Sequence, residues 1–92
     1  MEQKLTVLSK QSAKFSETQI DDEVVLMVLD SGDFLSLTGT ASSIWNLIDG
    51  TRDRAMLIAA LALEYDVPES RIAPDVDAFL AQLGEAGLIS AV

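Results

Sequence analysis

The chain has 92 residues, 49% of them hydrophobic, with 6 basic and 15 acidic side chains and a net charge of −9. That length suits a single small domain over residues 1–92, burying only about 60–65% of its unfolded surface. It holds neither cysteine nor histidine, which excludes disulfides, Cys- or His-ligated metals and His- or Cys-dependent catalysis.

The acidic balance repels phosphate backbones and anionic lipid, so neither nucleic acid nor membrane is expected as a partner. It sharpens toward the end: no basic side chain follows Arg71, while Asp75, Asp77 and Glu85 do. No apolar run approaches the ~20 residues of a bilayer span. Met1-Glu2-Gln3-Lys4 lacks the apolar region of a signal peptide, so a cytoplasmic protein is expected.

Leu5–Leu8 and Lys14-Phe15-Ser16 are short extended candidates, separated by polar Ser9–Ser12. At least one of them is expected to pair with the hairpin that follows. Gln19–Glu23 reads as a polar, acidic connection. Val24–Leu29 is almost continuously apolar. It is a strand either buried on both faces or with one face awaiting something else. Asp30-Ser31-Gly32-Asp33 is a cluster of turn residues, with Gly32 able to take positive φ. Phe34–Leu37 resumes extended structure, so the pair forms a β-hairpin. Leu35 and Leu37 share one face of that strand, Phe34 and Ser36 the other. At a sheet margin its free amides and carbonyls would template another strand.

Thr38 offers a side-chain oxygen to the amides of a helix running from about Gly39 to Ile48, with Ile44, Leu47 and Ile48 at helical spacing. Gly50 suits a left-handed residue after that helix. Asp53 is the expected N-cap of a second helix, whose apolar stripe is Met56, Leu57, Ala60, Leu61 and Leu63 and which ends near Tyr65-Asp66. Pro68-Glu69 opens a turn. Pro74 fits badly inside a helix, so the third helix is placed with Pro74 in its first turn. Val76, Phe79, Leu80 and Leu83 then lie on one face. Gly84 and Gly87 weaken its end, and Leu88-Ile89 returns to the core. The order gives an α+β fold of winged helix-turn-helix type: a small three-stranded antiparallel sheet followed by three helices.

Three ordered stretches carry a family resemblance. They are Val25–Gly50, which contains Val-Leu-Met-Val-Leu-Asp-Ser-Gly-Asp-Phe-Leu-Ser-Leu-Thr and Ala-Ser-Ser-Ile-Trp-Asn-Leu-Ile-Asp-Gly; Leu61–Pro68, Leu-Ala-Leu-Glu-Tyr-Asp-Val-Pro; and Asp75–Ile89. From about Asp22 to Ile89 the chain resembles the PqqD-like family, the RiPP recognition elements. The resemblance implies a stand-alone, non-catalytic peptide chaperone that needs no cofactor. Such a protein binds the leader region of a ribosomally made precursor peptide and presents it to a modifying enzyme. The leader adds as a strand to the sheet edge beside the third helix. Two subgroups fit a chain of this size. One delivers a lasso-peptide precursor to a separate leader peptidase. The other serves pyrroloquinoline quinone synthesis with a radical SAM enzyme. The Ile44-Trp45 pair and the strong acidity favour the lasso group. Pro74 departs from the pattern of many relatives, which carry an ordinary helix former at this point, the start of the third helix and the end of the groove. The resemblance places peptide contacts on strand residues Phe34, Leu35, Ser36 and Leu37. It places others on helix residues Asp75, Val76, Phe79, Leu80 and Leu83. Val76, Phe79 and Leu80 would receive an aromatic or proline anchor, and Asp75 a basic leader residue.

Plainer readings stand beside these. On spacing alone Phe79, Leu80 and Leu83 are core, and the family adds a groove role for their flank. Asp75 and Asp77 in a first helical turn would be stabilised by the helix dipole whatever their function. Phe34 simply covers the sheet, and Trp45 is a core or second-interface residue. Asp21-Asp22-Glu23 lacks the spaced oxygens and turn glycine of a calcium loop and reads as a solvated turn. A winged-helix DNA binder shares the fold but needs a basic recognition helix. A carrier protein needs its modified serine to open a helix, whereas Ser31 sits in a hairpin turn. An enzyme needs a reaction centre that scattered carboxylates do not make. A dimerisation module stays open, because a free strand edge can pair with its own copy to give a homodimer.

Overall fold

A computed structural model describes residues 7–91. Among the described residues, five strands and three α-helices occur in the order β1 (Leu8–Lys10), β2 (Phe15–Ile20), β3 (Glu23–Val28), β4 (Phe34–Leu37), α1 (Thr40–Leu47), α2 (Arg54–Tyr65), α3 (Glu69–Glu85) and β5 (Ile89–Ala91), with one 3-10 turn, Ser12–Lys14, between β1 and β2. β2, β3 and β4 form a three-stranded antiparallel sheet in that spatial order, followed by the three helices. The expected α+β architecture is therefore present, and α2 and α3 meet across Asp66–Pro68 as a helix-turn-helix pair.

β2 is the strand that pairs with the hairpin, but it is longer than Lys14–Ser16 implies. It continues through Gln19 and Ile20, and only Asp21 and Asp22 remain as the turn. Its Ser-Glu-Thr-Gln run carries no apolar signal because most of the strand is exposed. Asp21 closes the turn at φ 53°, a left-handed conformation that aspartate tolerates better than most residues. Of the earlier extended candidate, Leu5 and Thr6 lie outside the described residues. Leu8 opens β1, which pairs with β5 and so joins the two ends of the described chain.

The apolar run of β3 resolves into alternation. Val24 and Leu26 have no exposed surface, whereas Val25 and Met27 are half-buried on the opposite, outer face. The register pairs Val25 with Ser36 and Met27 with Phe34, so that outer face continues onto β4. The inner face packs Phe15, Val24, Leu26 and Leu37 against Ile44, Trp45, Ile48, Leu57, Leu61, Val76 and Leu83. Each fully buried aliphatic side chain contributes roughly 1.5–3 kcal/mol relative to exposure. Trp45 sits in this core with no exposed surface. The Phe15 ring meets it edge-on at 5.1 Å, and Lys10 Nζ lies 4.5 Å from its ring centroid.

Helix ends follow local chemistry, with three departures. Asp53 caps α2, accepting from the Met56 amide at 2.8 Å, as expected. Thr38 does not cap α1: the helix begins at Thr40 behind Gly39 without a side-chain cap, and the Ser43 amide bonds the Gly39 carbonyl at 3.1 Å. The buried stripe of α2 is Leu57, Ile58 and Leu61, while Met56 and Leu63 are exposed. α3 starts at Glu69, not near Pro74, and Pro74 lies inside it. The missing proline amide would have bonded the carbonyl of Ser70. Both residues are exposed, so that carbonyl can turn to water instead.

Candidate functional site

The sheet has two margins of different character. β2 presents Ser16, Glu17, Thr18 and Gln19, polar side chains that discourage strand pairing. β4 is hydrogen-bonded to β3 on one side and pairs with no strand on the other among the described residues. Beside that free edge runs α3. Between them lies a groove of about 440 Å³ lined by Leu35, Leu37, Phe79, Gln82, Leu83, Glu85 and Ala86. Past Phe79 and Gln82 it continues into a smaller recess of about 250 Å³, where Asp75 and Ala78 of α3 face Thr40, Ala41 and Ile44 of α1. The geometry follows from chain order. β4 leads through Thr38-Gly39 straight into α1, so the strand edge and the recess share one wall.

The residues singled out in the sequence divide into four groups. Leu35, Leu37, Phe79 and Leu83 line the main groove, and Asp75 lines the recess. Phe34 and Ser36 supply backbone to the edge, but their side chains stand on the outer face of the sheet. Phe34 is 69% exposed there, and the Ser36 hydroxyl donates to the Glu23 carboxylate. Val76 corrects the expectation of an anchor-receiving residue: it has no exposed surface and packs into the core behind the groove wall. Leu80 is half-buried against the core and lines neither cavity.

The early start of α3 also changes the meaning of its carboxylates. The acid in the first turn is Glu69, and Asp75 and Asp77 lie beyond the reach of the helix terminus. Asp77 pairs with Arg54, whose hydrogen bond, reinforced by its charge, holds that carboxyl below the usual aspartate range. Asp75 makes no ion pair among the described residues. Gln82, Glu85 and Ala86 were missed in the sequence. They are polar or small residues near the end of a helix, with no periodic signal of their own.

A second, polar depression lies toward β2, lined by Gln19, Asp21, Asp22, Ser42, Ser43, Asn46 and Tyr65 among others. Its side chains bond one another, Gln19 to Asn46 at 2.9 Å and Ser43 to Tyr65 at 2.7 Å. Among the described residues, no group of three or more acidic side chains is placed to hold a metal ion. No helix among them is long and apolar enough to cross a membrane.

The family model for coenzyme PQQ synthesis protein D (PqqD) matches residues 23–89. The chain belongs to the PqqD family. The match spans β3, β4 and all three helices, and so both walls of the groove. Among solved structures, the PqqD-family chain is similar to TbiB1 in complex with the TbiA(beta) leader peptide. The two are 28% identical with a TM-score of 0.79, over 89% of this chain and 94% of that one. No curated protein sequence matches significantly.

Proposed function

We propose that this PqqD-family protein is a RiPP recognition element, a non-catalytic binder of precursor-peptide leaders that works by strand addition. The observation that carries the reading is the free edge of β4 beside an apolar groove. Strand addition satisfies backbone groups on both chains, and the groove supplies selectivity. The likeness to TbiB1, whose structure holds a leader peptide, supports leader binding by this chain. In this reading the leader pairs with the backbone of Phe34–Leu37. It lays alternate side chains over Leu35, Leu37, Phe79 and Leu83, with Asp75 beyond them. Ordering a flexible leader costs free energy, which favours a short motif with one or two apolar anchors.

The bound leader is then delivered to a modifying enzyme in the cytoplasm. A lasso-pathway leader peptidase is the favoured recipient, on the strength of the −9 charge. Ile44 and Trp45 are both core residues, so that pair no longer bears on the choice. Delivery to a radical SAM enzyme is the second reading, favoured by the family's description as a PQQ synthesis protein. Titration of the purified chain with the leader of a precursor encoded beside it tests the binding reading. Saturable binding at micromolar concentration is expected, and its absence overturns the proposal. A peptidase assay with and without the protein tests the recipient: stimulated leader cleavage supports the first, and none returns the choice to the second.

A further inference from the structure

The groove ends in a carboxylate at each limit. Asp75 stands in the recess by the start of α1, Glu85 at the other end of the wall, and both are exposed. The lining between them is neutral: Leu35, Leu37, Ala78, Phe79, Gln82 and Leu83. Four of the cations among the described residues are engaged elsewhere. Lys14 pairs with Asp30, Arg52 with Asp49 and Arg54 with Asp77, while Lys10 covers Trp45. Arg71 lies one turn before Asp75 and forms no ion pair with it. Two exposed carboxylates thus bracket an apolar trough whose strand edge is free.

Resting on the reading above, we infer that the groove selects an extended segment whose apolar middle is flanked on both sides by a basic residue, one meeting Asp75 and the other Glu85. Helical rise puts the two carboxylates about 15 Å apart along α3. An extended chain advances about 3.3 Å per residue, so the basic residues stand about four to six positions apart. At an even separation both point toward the helix, together with the apolar residue between them. The two-ended arrangement works for either direction of the bound strand. It also disfavours a second copy as occupant, because that copy brings the same −9 charge. Acidic segments are rejected on the same ground.

A random-peptide display selection against the full chain tests this without knowledge of the natural ligand. The enriched pool is expected to carry Lys or Arg at two positions with that spacing around apolar residues. The consensus peptide should bind Asp75→Asn and Glu85→Gln each about two- to fivefold more weakly than wild type, and the double variant about tenfold more weakly at low salt. The loss should shrink as salt is raised. Asp66→Asn, which removes an exposed carboxylate at the α2–α3 turn outside the groove and keeps a residue that tolerates the left-handed conformation there, should leave peptide affinity unchanged. An enriched pool without paired basic residues, or variants equal to wild type at low salt, overturns the inference while leaving leader binding intact. A selection that enriches nothing, with sedimentation showing a dimer sealed at the edge, overturns the leader-binding reading as well.

Discussion

Arg54 and Asp77 clasp the first turn of α2 to the middle of α3 through two parallel hydrogen bonds, Nε to Oδ1 at 2.5 Å and Nη2 to Oδ2 at 2.8 Å. The pair fixes the helix that forms the groove wall, and the fork of the guanidinium gives it direction as well as charge. Asp77 titrates below its ordinary value of 3.8, chiefly through the Arg54 hydrogen bond. Its contribution to stability is therefore fully present above that ordinary value and is lost as pH falls through the lowered one. Asp77→Asn should melt at a slightly lower temperature than wild type at neutral pH, and the gap should close in acid. Thermal melts from neutrality to acid check this; a gap that stays constant with pH assigns the loss to something other than the ion pair. Both side chains are about half exposed, so the effect should be small and weakened by salt.

Phe79 sits where groove and recess meet. Phe79→Ala should lower stability by roughly 1–2 kcal/mol, less than for a fully buried ring. Leader affinity should fall about tenfold or more, the loss typical of a central apolar anchor. Urea denaturation and peptide titration on the same sample separate the two. A variant that loses stability but keeps affinity returns Phe79 to the core alone.

The edge of β4 predicts a backbone requirement. A leader peptide N-methylated at alternate residues loses every second amide proton. On the register that faces β4 it should bind at least tenfold more weakly, while the opposite register is tolerated. Calorimetry with both peptides checks this, and equal affinity for the two excludes strand addition.

Pro74 predicts a gain. Pro74→Ala restores the hydrogen bond from the backbone amide of residue 74 to the Ser70 carbonyl inside α3 and should stabilise the protein by about 1–2 kcal/mol after the lost rigidity of the unfolded chain is allowed for. Leader affinity should hold within about twofold if the groove wall beyond Phe79 is unaltered. Denaturation and titration together decide it, and a drop in affinity means that the proline shapes the recess.

Phe34 separates the two faces of its strand. Phe34→Ala should leave stability nearly unchanged and weaken leader affinity by no more than about two- to threefold, because the ring projects from the outer face and meets only the outward side chains of the guest, not its anchors in the groove. Peptide titration of the variant checks it, and a tenfold loss would place the leader across the outer face.

Much of this was legible in the residues themselves. The β3–β4 hairpin follows from the turn cluster Asp30–Asp33, and Gly32 and Gly50 hold the positive φ their positions ask for. Asp53 caps α2 because a short acceptor precedes an apolar helix. The failures have physical causes. β2 is mostly exposed, so its pairing is written in backbone bonds rather than in apolar alternation. Pro74 marks a poor helix residue, yet α3 tolerates it because packing of Ile72 and Val76 holds the turns on either side. Spacing put Val76 and Phe79 on one stripe. It could not tell that Val76 points behind the wall while Phe79 stands at its rim, since that depends on where β4 passes.

The outer face of the sheet, with Ile20, Val25, Met27 and Phe34 open or half-open to solvent, has a geometric consequence of its own. A guest strand annealed to β4 would send only every second side chain inward. The others would stand in a new row beside Phe34 and Ser36, widening that hydrophobic plate. Loaded and empty forms would then differ across the outer face as well as in the groove, so a downstream enzyme could recognise cargo and carrier as a single composite epitope.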